Sequence, residues 1–253
     1  MPDRPSEARG VDSPIVDFIM PVFNEGKNVV RAVQEIHDHV ALPKRILIVY
    51  DFDDDDTVPV ARELMRTYPE VSLWKNDQGS GVINAIRAGI AAATAEVVIV
   101  TMADLSDDIS VVAPMVRLIR EDGYDIVCAS RYMRGGQQIG GPRLKKLLSR
   151  VAGISLHWLT GLPSHDATNA FRAYRLSVLQ SIPIESRGGF EYSLELTAKA
   201  YAAGYRITEV PSVWKDRSEG ESRFLLRKWL PQYLRWYLFA ISHRPTRRLH
   251  GSE

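Results

Sequence analysis

The residues with the clearest chemical potential come directly after a predicted buried strand. Val97–Val100 is a continuous apolar run, the pattern of a strand covered on both faces of a parallel sheet, and it is followed by Asp104, Asp107 and Asp108. Ligands of open α/β sheets bind beyond the carboxyl ends of the strands, and divalent cations prefer oxygen ligands, so an acid here can hold a cation against a diphosphate. Ser106 or Asp107 is expected to cap the next helix, whereas Asp104 precedes the cap position and is the predicted functional acid.

A second acidic stretch follows another predicted strand. Asp51–Asp56 places five carboxylates within six residues. Asp51 comes directly after the strand, so we expect it to face the cleft and to accept hydrogen bonds from a ligand, whereas Asp53–Asp56 is expected to be a solvated turn. Gly79-x-Gly81 before a helix lacks the third glycine of a dinucleotide fingerprint and does not follow the first strand, which argues against a dehydrogenase.

Basic residues concentrate in the second half of the chain. Residues 1–126 contain 12 Lys and Arg against 22 Asp and Glu, a charge of −10, while residues 127–253 contain 20 against 9, a charge of +11. Arginine binds phosphate bidentately, so this half is suited to phosphate-bearing substrates, although two solvated faces would give the same count. Overall charge is near neutral and we find no basic-aromatic module, so nucleic acid is not an expected partner. The candidate cations are Arg131, Arg143, Lys145, Lys146, Arg150, Arg172, Arg175 and Arg217.

These side chains must be positioned by alternating strands and helices. Up to about residue 130, apolar strand patterns and amphipathic helix patterns alternate with short connections, which predicts an α/β fold with a doubly wound, mostly parallel sheet. The later part of the chain is expected to contain a glycine-rich loop, a basic helix, two strands around a helix, and a final aromatic-rich helix. Their expected positions are 135–142, 144–159, 170–174, 192–203, 205–210 and 221–243.

Composition predicts where the protein works and how the chain is divided. The single cysteine, Cys128, excludes an internal disulfide and favours a reducing compartment, and no apolar run approaches the roughly 20 residues that span a bilayer. We predict a disordered tail over 1–14, a catalytic domain over 15–220, and a C-terminal amphipathic helix and tail over 221–253. The apolar, aromatic stretch 229–241 is flanked by Arg and Lys, so it either lies in a membrane interface or packs on the domain.

Six segments, in order along the chain, resemble the inverting family 2 glycosyltransferases with a GT-A fold, specifically the branch of dolichol- or polyprenyl-phosphate mannose synthases. The resemblance covers about residues 15–225. The segments are Pro21-x-Phe23-Asn24-Glu25, Asp51 with Thr57, Ala103-Asp104-Leu105-Ser106, Ser130-Arg131-Tyr132, the run Asp166–Tyr174, and Glu209–Arg217 with Gly220-Glu221-Ser222.

The resemblance implies a nucleotide-diphosphate sugar as donor, a polyprenyl phosphate as acceptor, and Mg²⁺ or Mn²⁺ as cofactor. It implies three sets of site residues. Pro21, Phe23, Glu25 and Asp51, with Asp104, would bind the nucleotide; Asp104 and Ser106 would hold the metal; and Arg131, Arg143 and Arg217 would contact the acceptor phosphate or the departing diphosphate. Asp104, Arg131 and Arg217 form the implied catalytic group.

Several positions depart from the family pattern: Phe23 replaces the usual tyrosine, and Asn169-Ala170 replaces a small residue and glycine. Met102 and Tyr50 stand where the family usually has aspartate. The loss of a carboxylate at Met102 should weaken metal binding or shift it onto Asp107 or Asp108. These departures bear on the sugar and the nucleotide base more than on the class of reaction.

The implied reaction needs no catalytic base. A phosphate monoester has a second pKa of about 6, so the acceptor is already ionised near neutral pH, and its in-line attack inverts the anomeric carbon. The most specific expectation is transfer of mannose from GDP-mannose to a polyprenyl or dolichyl phosphate at the cytoplasmic face of a membrane, with peripheral attachment or a separate membrane-anchoring protein. The alternatives are a UDP-sugar-dependent GT-A transferase with another acceptor, and a non-catalytic nucleotide-sugar-binding protein.

Overall fold

Strands and helices alternate through the first half of the chain, as the apolar patterns predict. The computed structural model describes residues 13–216 and 226–243. In order, the elements are β1 (Val16–Pro21), α1 (Asn28–His39), β2 (Lys44–Tyr50), α2 (Thr57–Thr67), β3 (Val71–Lys75), α3 (Val82–Ala92), β4 (Val97–Val100), a 3₁₀ turn (Ile109–Val111), α4 (Val112–Arg120) and β5 (Ile126–Ser130).

The second half is less regular. Its elements are β6 (Gln137–Ile139), α5 (Arg143–Thr160), β7 (Arg172–Arg175), α6 (Leu176–Ser181), α7 (Tyr192–Ala202), β8 (Ile207–Pro211), β9 (Val213–Lys215) and α8 (Leu226–Ser242). The final helix was predicted over 221–243, and its residues 221–225 lie outside the described part of the chain. No helix among the described residues is long and apolar enough to cross a membrane.

A seven-stranded sheet in the order β3-β2-β1-β4-β7-β5-β8 forms the centre. Its strands pair in parallel except for β7, which runs antiparallel to both β4 and β5. The prediction of a mostly parallel sheet is therefore confirmed, with β7 inserted between two parallel groups. A separate two-stranded ribbon pairs β6 with β9 in parallel.

Apolar side chains cover both faces of the sheet. Successive residues of a strand point to opposite faces, so Phe18 and Ile46 pack into the layer beneath α1, α2 and α4, while Ile19 and Leu47 pack into the layer beneath α3 and α7. Trp236 of α8 belongs to this second layer and is 2% exposed. The two layers fix the strand ends where the candidate site residues lie.

Candidate active site

Three neighbouring parallel strands bring the predicted donor-binding residues to one edge of the sheet. β1 pairs with β2 on one side and with β4 on the other, all in parallel. Their carboxyl ends therefore lie together, and the segments that follow them begin at Val22, Asp51 and Thr101. Pro21 is buried as the last residue of β1, so it ends the strand at this edge.

The loop between β1 and α1 is held by the acidic stretch that follows β2. Asn24 and Gly26 adopt left-handed backbone conformations, each with a φ of 51°. Asp55 is 1% exposed, so the expectation of a solvated turn is wrong for this residue: its carboxylate accepts a hydrogen bond from the loop between β1 and α1. The backbone N–H groups of Asn24, Glu25 and Gly26 donate to Asp55 Oδ2 at 3.1 Å, Thr57 Oγ1 at 2.9 Å and Asp56 Oδ1 at 2.9 Å, respectively.

Asp51 lies at the expected edge, but both of its carboxylate oxygens already have protein partners. Oδ1 accepts a hydrogen bond from Asn76 Nδ2 at 2.8 Å, and Oδ2 accepts one from the Gly81 N–H at 2.7 Å. Asp51 therefore holds the loop that leads into α3, and its contact with a nucleoside stays a prediction. Phe23 is 47% exposed and meets Phe52 edge to face, with ring centroids 5.6 Å apart, so the two rings form an apolar wall beside this loop.

The loop after β4 is tightly folded around its carboxylates. Asp104 Oδ1 accepts a hydrogen bond from the Ser106 N–H at 3.1 Å, and Leu105 between them has a φ of 58°, a left-handed conformation that is strained for leucine. Asp108 caps the 3₁₀ turn that leads into α4, and its Oδ1 accepts from the Ser110 N–H at 3.2 Å. The expectation that Ser106 or Asp107 caps the helix is therefore wrong, because a 3₁₀ turn starting at Ile109 precedes α4.

The carboxylates of Asp104 and Asp107 interact electrostatically in the loop after β4. Burial, and then the negative charge of Asp104, raise the pKa of Asp107 to about 7, whereas a hydrogen bond from Thr101 and the charge of Arg131 oppose the rise. Two carboxylates that repel each other in this way are stabilised by a divalent cation between them. Asp107, one of the two acids onto which metal binding was expected to shift, is therefore a candidate ligand beside Asp104 and Ser106, and the metal assignment stays a prediction.

The remaining donors near this pair also suit Mg²⁺ or Mn²⁺. Ser106 is 5% exposed, and its Oγ has no hydrogen-bond partner, so a buried hydroxyl oxygen is left over beside the two carboxylates. Among residues 13–216 and 226–243, no group of three His, Cys, Asp or Glu side chains could hold a metal. Magnesium is commonly held by one or two carboxylates together with substrate phosphates, and the residues present fit that mode.

A cavity of about 390 Å³ adjoins this loop and is bordered by α1 and β9. Met102, where the family resemblance implies aspartate, lines the cavity together with Ser106 and Asp107. An apolar thioether therefore lines the cavity where the resemblance implies a carboxylate, and Asp107 and Asp108 are the acids of this loop that line it.

Arg131 is committed to a buried ion pair. Its Nε donates to Asp166 Oδ2 at 2.7 Å and its Nη2 to Asp166 Oδ1 at 2.9 Å, and Nη2 also donates to Ser149 Oγ and to Thr168 Oγ1, each at 3.0 Å. The Arg131 side chain is 9% exposed and that of Asp166 is fully buried. Burial alone would raise the pKa of Asp166, but the charge and hydrogen bonds of Arg131 hold it below its ordinary value. The expected phosphate contact of Arg131 thus stays a prediction. The structure shows that Arg131 links the end of β5 to α5 and to the segment that contains Asp166 and Thr168.

The other two predicted phosphate ligands are Arg143 and Arg217, and the structure describes only the first. Arg143 is the exposed first residue of α5. Arg217 lies outside the described residues. Arg172, counted among the candidate cations, is fully buried and donates to the carbonyl oxygens of Asn169 and Ser193, so it joins β7 to α7 and is a core residue.

Sequence reasoning missed the partner of Arg131. Asp166 opens one of the recurring segments, but it received no role because 34 residues separate it from Arg131 along the chain. The available signal was an acid at the start of one of the six segments and a base within another, which is too general to predict a pair. A second missed link is β9, whose Lys215 N–H donates to the Ser106 carbonyl oxygen at 3.1 Å.

Comparison with known proteins agrees with this architecture. Residues 17–182 match the family model described as Glycosyl transferase family 2. The chain is 29% identical over 225 residues to a dolichol-phosphate mannosyltransferase of Pyrococcus furiosus, covering 87% of this chain and 62% of that protein. It is also 29% identical over 210 residues to a polyprenol monophosphomannose synthase of Mycolicibacterium smegmatis, covering 81% of this chain and 79% of that protein. The chain thus spans less than two thirds of the length of the Pyrococcus relative.

Solved structures share the fold at lower sequence identity. A mannosyltransferase from Pyrobaculum calidifontis, solved with GDP-Man and Mn²⁺, matches with a TM-score of 0.63 and 18% identity over 88% of this chain and 63% of that chain. A glucosyl-3-phosphoglycerate synthase from Mycobacterium tuberculosis, solved with Mn²⁺, UDP and glucosyl-3-phosphoglycerate, matches with a TM-score of 0.63 and 15% identity over 92% of this chain and 82% of that chain. The GT-A architecture expected from the sequence is confirmed, and with two thirds of its length matched by the family model, the chain belongs to glycosyl transferase family 2.

Proposed function

We propose that the protein transfers mannose from GDP-mannose to a polyprenyl phosphate, with inversion at the anomeric carbon and with the help of Mg²⁺ or Mn²⁺. The observation that carries the proposal is the Asp104–Asp107 pair at the end of β4, within electrostatic reach of Arg131. Such a site can compensate the charges of two phosphate-bearing substrates. The names of the Pyrococcus and Mycolicibacterium relatives support mannose and a polyprenyl phosphate as the substrates.

The residues of this chain would act mainly by positioning and by electrostatic stabilisation. Asp104 and Asp107, with Ser106, would hold the divalent cation, which when bound stabilises the negative charge of the leaving diphosphate. The acceptor phosphate is ionised near neutral pH and needs no base, so the protein must align its oxygen behind the anomeric carbon. Arg131, fixed in place by its ion pair with Asp166, is the predicted contact for the attacking phosphate, with Arg143 and Arg217 as further predicted contacts.

The donor would lie across the ends of β1, β2 and β4. We infer that Pro21, Phe23 and Glu25 shape the nucleoside side of the cleft, and that Asp51 acts there by holding the loop before α3. The exposed Phe23–Phe52 pair offers an aromatic surface beside the loop for a nucleobase. The catalytic unit would span residues 15–220, followed by the C-terminal helix and tail.

A polyprenyl acceptor places the reaction at a membrane surface. We propose that the protein acts peripherally at the cytoplasmic face, either through its own surface or through a separate membrane-anchoring protein. The single cysteine, buried in β5, agrees with a reducing compartment.

A donor and acceptor panel tests the proposed function. The protein is incubated with Mn²⁺, a polyprenyl phosphate and radiolabelled GDP-mannose, UDP-glucose or a dTDP-sugar, and label is counted in the butanol-extractable lipid. We expect label from GDP-mannose. Transfer from a UDP-sugar alone would establish the alternative donor. A donor-induced rise in melting temperature without any transfer would instead identify a non-catalytic nucleotide-sugar-binding protein.

A further inference from the structure

Glu191 is a fully buried acid with one unused carboxylate oxygen. It is 0% exposed, and its Oε1 accepts a hydrogen bond from the Gly188 N–H at 2.9 Å. Within the described part of the chain, its Oε2 has no hydrogen-bond partner. Burying a charged oxygen without a partner is costly, and an acid with a purely structural role normally has partners for both oxygens. The unused oxygen therefore indicates a ligand that donates a hydrogen bond.

The fold places Glu191 at the same sheet edge as the acidic loop after β4. Strand β7 runs antiparallel to both β4 and β5, and β8 is parallel to β5, so the carboxyl ends of β4, β5 and β8 lie at one edge. Helix α7 packs on this sheet, and only residues 203–206 separate its end from the start of β8. The end of α7 thus lies at the amino end of β8, and its beginning, with Glu191, lies at the carboxyl edge.

Electrostatic interactions link Glu191 to the proposed site. Burial, and then the negative charge of Glu191, raise the pKa of Tyr233, whereas the positive charge of Arg131 opposes that rise. Burial also raises the pKa of Tyr192, the residue after Glu191, and the charge of Asp107 adds to this rise. Tyr233 therefore lies within electrostatic reach of both Glu191 and Arg131, and Tyr192 lies within reach of Asp107. Glu191 belongs to the surroundings of the Arg131 and Asp107 side chains.

The charge of Glu191 restricts which part of a substrate can lie against it. A carboxylate only accepts hydrogen bonds, and it repels the diphosphate of the donor and the phosphate of the acceptor. The nucleoside is proposed to lie at the ends of β1 and β2, which β4 and β7 separate from β5 and β8 in the sheet order. The transferred sugar remains: its hydroxyls are neutral hydrogen-bond donors, and it is attached to the diphosphate proposed to lie at the end of β4.

We propose that Glu191 binds a hydroxyl of the transferred sugar and thereby contributes to the choice of sugar. The inference rests on the sugar-nucleotide donor proposed above and adds a specificity-determining residue to it. Because the Gly188 N–H is bonded to the other oxygen of Glu191, the sugar must reach Oε2 past the segment of Gly188 and Gly189. Glycine changes its backbone conformation at little steric cost, which allows this segment to open for the donor.

Binding constants separate recognition of the sugar from recognition of the nucleotide. Calorimetry with Mn²⁺ compares GDP-mannose with GDP, and UDP-glucose with UDP, for the unmodified chain and for Glu191→Gln, which keeps an acceptor for the Gly188 N–H. We expect the substitution to weaken GDP-mannose by about 10- to 100-fold, the range for one hydrogen bond to a charged group, and to leave GDP within about twofold. Glu185→Gln, an exposed acid of the preceding segment, is the matched control and should leave both constants unchanged. Equal weakening of sugar nucleotide and nucleotide in both pairs, or no weakening in either, would overturn the proposal.

Deoxy analogues identify the hydroxyl that Glu191 contacts. GDP-mannose analogues that each lack one hydroxyl are bound to the unmodified chain and to Glu191→Gln. The analogue without the contacted hydroxyl should bind both proteins about equally, because the contact is already absent, while the other analogues should bind the variant more weakly. A uniform loss across all analogues would indicate a general structural role and refute the contact.

Stability and transfer are separate measurements. Because an unpartnered buried charge is costly, Glu191→Gln should melt at the same temperature as the donor-free unmodified chain or at a higher one. A clearly lower melting temperature would instead assign Glu191 to the framework and overturn the proposal. Failure of the unmodified chain to move labelled mannose to polyprenyl phosphate would refute the proposed function, whereas a Glu191-dependent difference between GDP-mannose and GDP would still support the sugar contact.

Discussion

Among the individual side chains, Asp104 is the one on which the proposed chemistry most depends. Replacing it with alanine removes one carboxylate of the acidic pair and the acceptor of the Ser106 N–H. We expect Asp104→Ala to lower transfer of labelled mannose to lipid by about 100-fold or more, since metal stabilisation of the leaving group supplies several kcal/mol. Asp54→Ala removes an exposed acid from the other acidic loop and should retain activity. Near-full activity of Asp104→Ala with metal present would contradict the metal assignment.

Asp107 makes a prediction about pH. Its pKa is raised to about 7 in the folded protein, from about 4 in the unfolded chain, so the neutral form is favoured by folding. Without metal, this contribution to stability is complete below about pH 4 and is lost as the pH rises through about 7. Mn²⁺ must displace the proton, so we expect its stabilising effect on the melting temperature to grow from pH 6 to pH 8.

Asp107→Asn supplies the control for that titration. The amide cannot ionise, so the metal-free variant should show a flatter melting temperature between pH 4 and 8 and little response to Mn²⁺. Asp53→Asn, an exposed acid paired with Lys75, should behave like the unmodified protein in both respects. The assignment fails if Asp107→Asn keeps the full pH-dependent response to Mn²⁺.

The Asp166–Arg131 pair predicts a structural effect distinct from catalysis. In Asp166→Asn, a buried guanidinium loses its counter-charge, and breaking such a pair costs about 3–5 kcal/mol. We expect a large fall in the free energy of unfolding, measured by urea denaturation. Glu96→Gln breaks exposed ion pairs with Arg120 and Arg175 and should cost less than about 1 kcal/mol. Comparable losses of unfolding free energy in both variants would show that burial does not make the Asp166–Arg131 pair more important for stability than an exposed pair.

At the level of helices and loops, α5 depends on a close approach to the loop that holds Asp166. A Cβ on Gly153 would lie 2.3 Å from the His165 carbonyl oxygen. Alanine in a helix normally stabilises by about 0.5–1 kcal/mol relative to glycine, but the clash here should reverse the sign and destabilise by about 1–3 kcal/mol. The measurement is the unfolding midpoint of Gly153→Ala, with Arg150→Ala, at an exposed position of the same helix, as the comparison. Stabilisation by Gly153→Ala would contradict the close approach.

The parts of the fold that could be predicted are those with long, regular apolar patterns. β4 was predicted with the bounds that the structure has, because its apolar run ends at a clear polar boundary. The same patterns placed Asp51 and Asp104 at strand ends. The short elements β6, α6 and β9 were missed, because three to six residues carry too little periodicity.

The parts of the site that could not be predicted depend on long-range pairing. The partners of Asp51, Asp55 and Arg131 lie about 25 to 35 residues away along the chain. Nothing in the local sequence indicates that β7 enters the sheet antiparallel between β4 and β5, and this insertion is what brings the Asp166 segment beside Arg131. Local patterns therefore predict which residues reach the cleft, but not which of them are already used to hold it together.

At the scale of the whole molecule, helix α8 belongs to both the core and the surface. The sequence left open whether this helix packs on the domain or faces a membrane, and the structure shows one side packed and the other exposed. Trp236 is buried and its Nε1 donates to Ser186 Oγ at 3.0 Å. We expect Trp236→Ala to lower the free energy of unfolding by about 3–5 kcal/mol, and Leu234→Ala, on the exposed side, to change it little. Equal losses of stability for the two variants in thermal denaturation would mean that α8 does not pack on the domain through Trp236.

The ribbon of β6 and β9 helps to fix the conformation of the acidic loop after β4. The Val213 N–H donates to Asp108 Oδ2, and the Lys215 N–H donates to the Ser106 carbonyl oxygen. Strand β9, which contains both residues, pairs with β6. The loop that carries Asp104 and Asp107 is therefore attached at two points to a strand more than 100 residues later in the chain. Its conformation depends on β9 as well as on β4, from which it emerges.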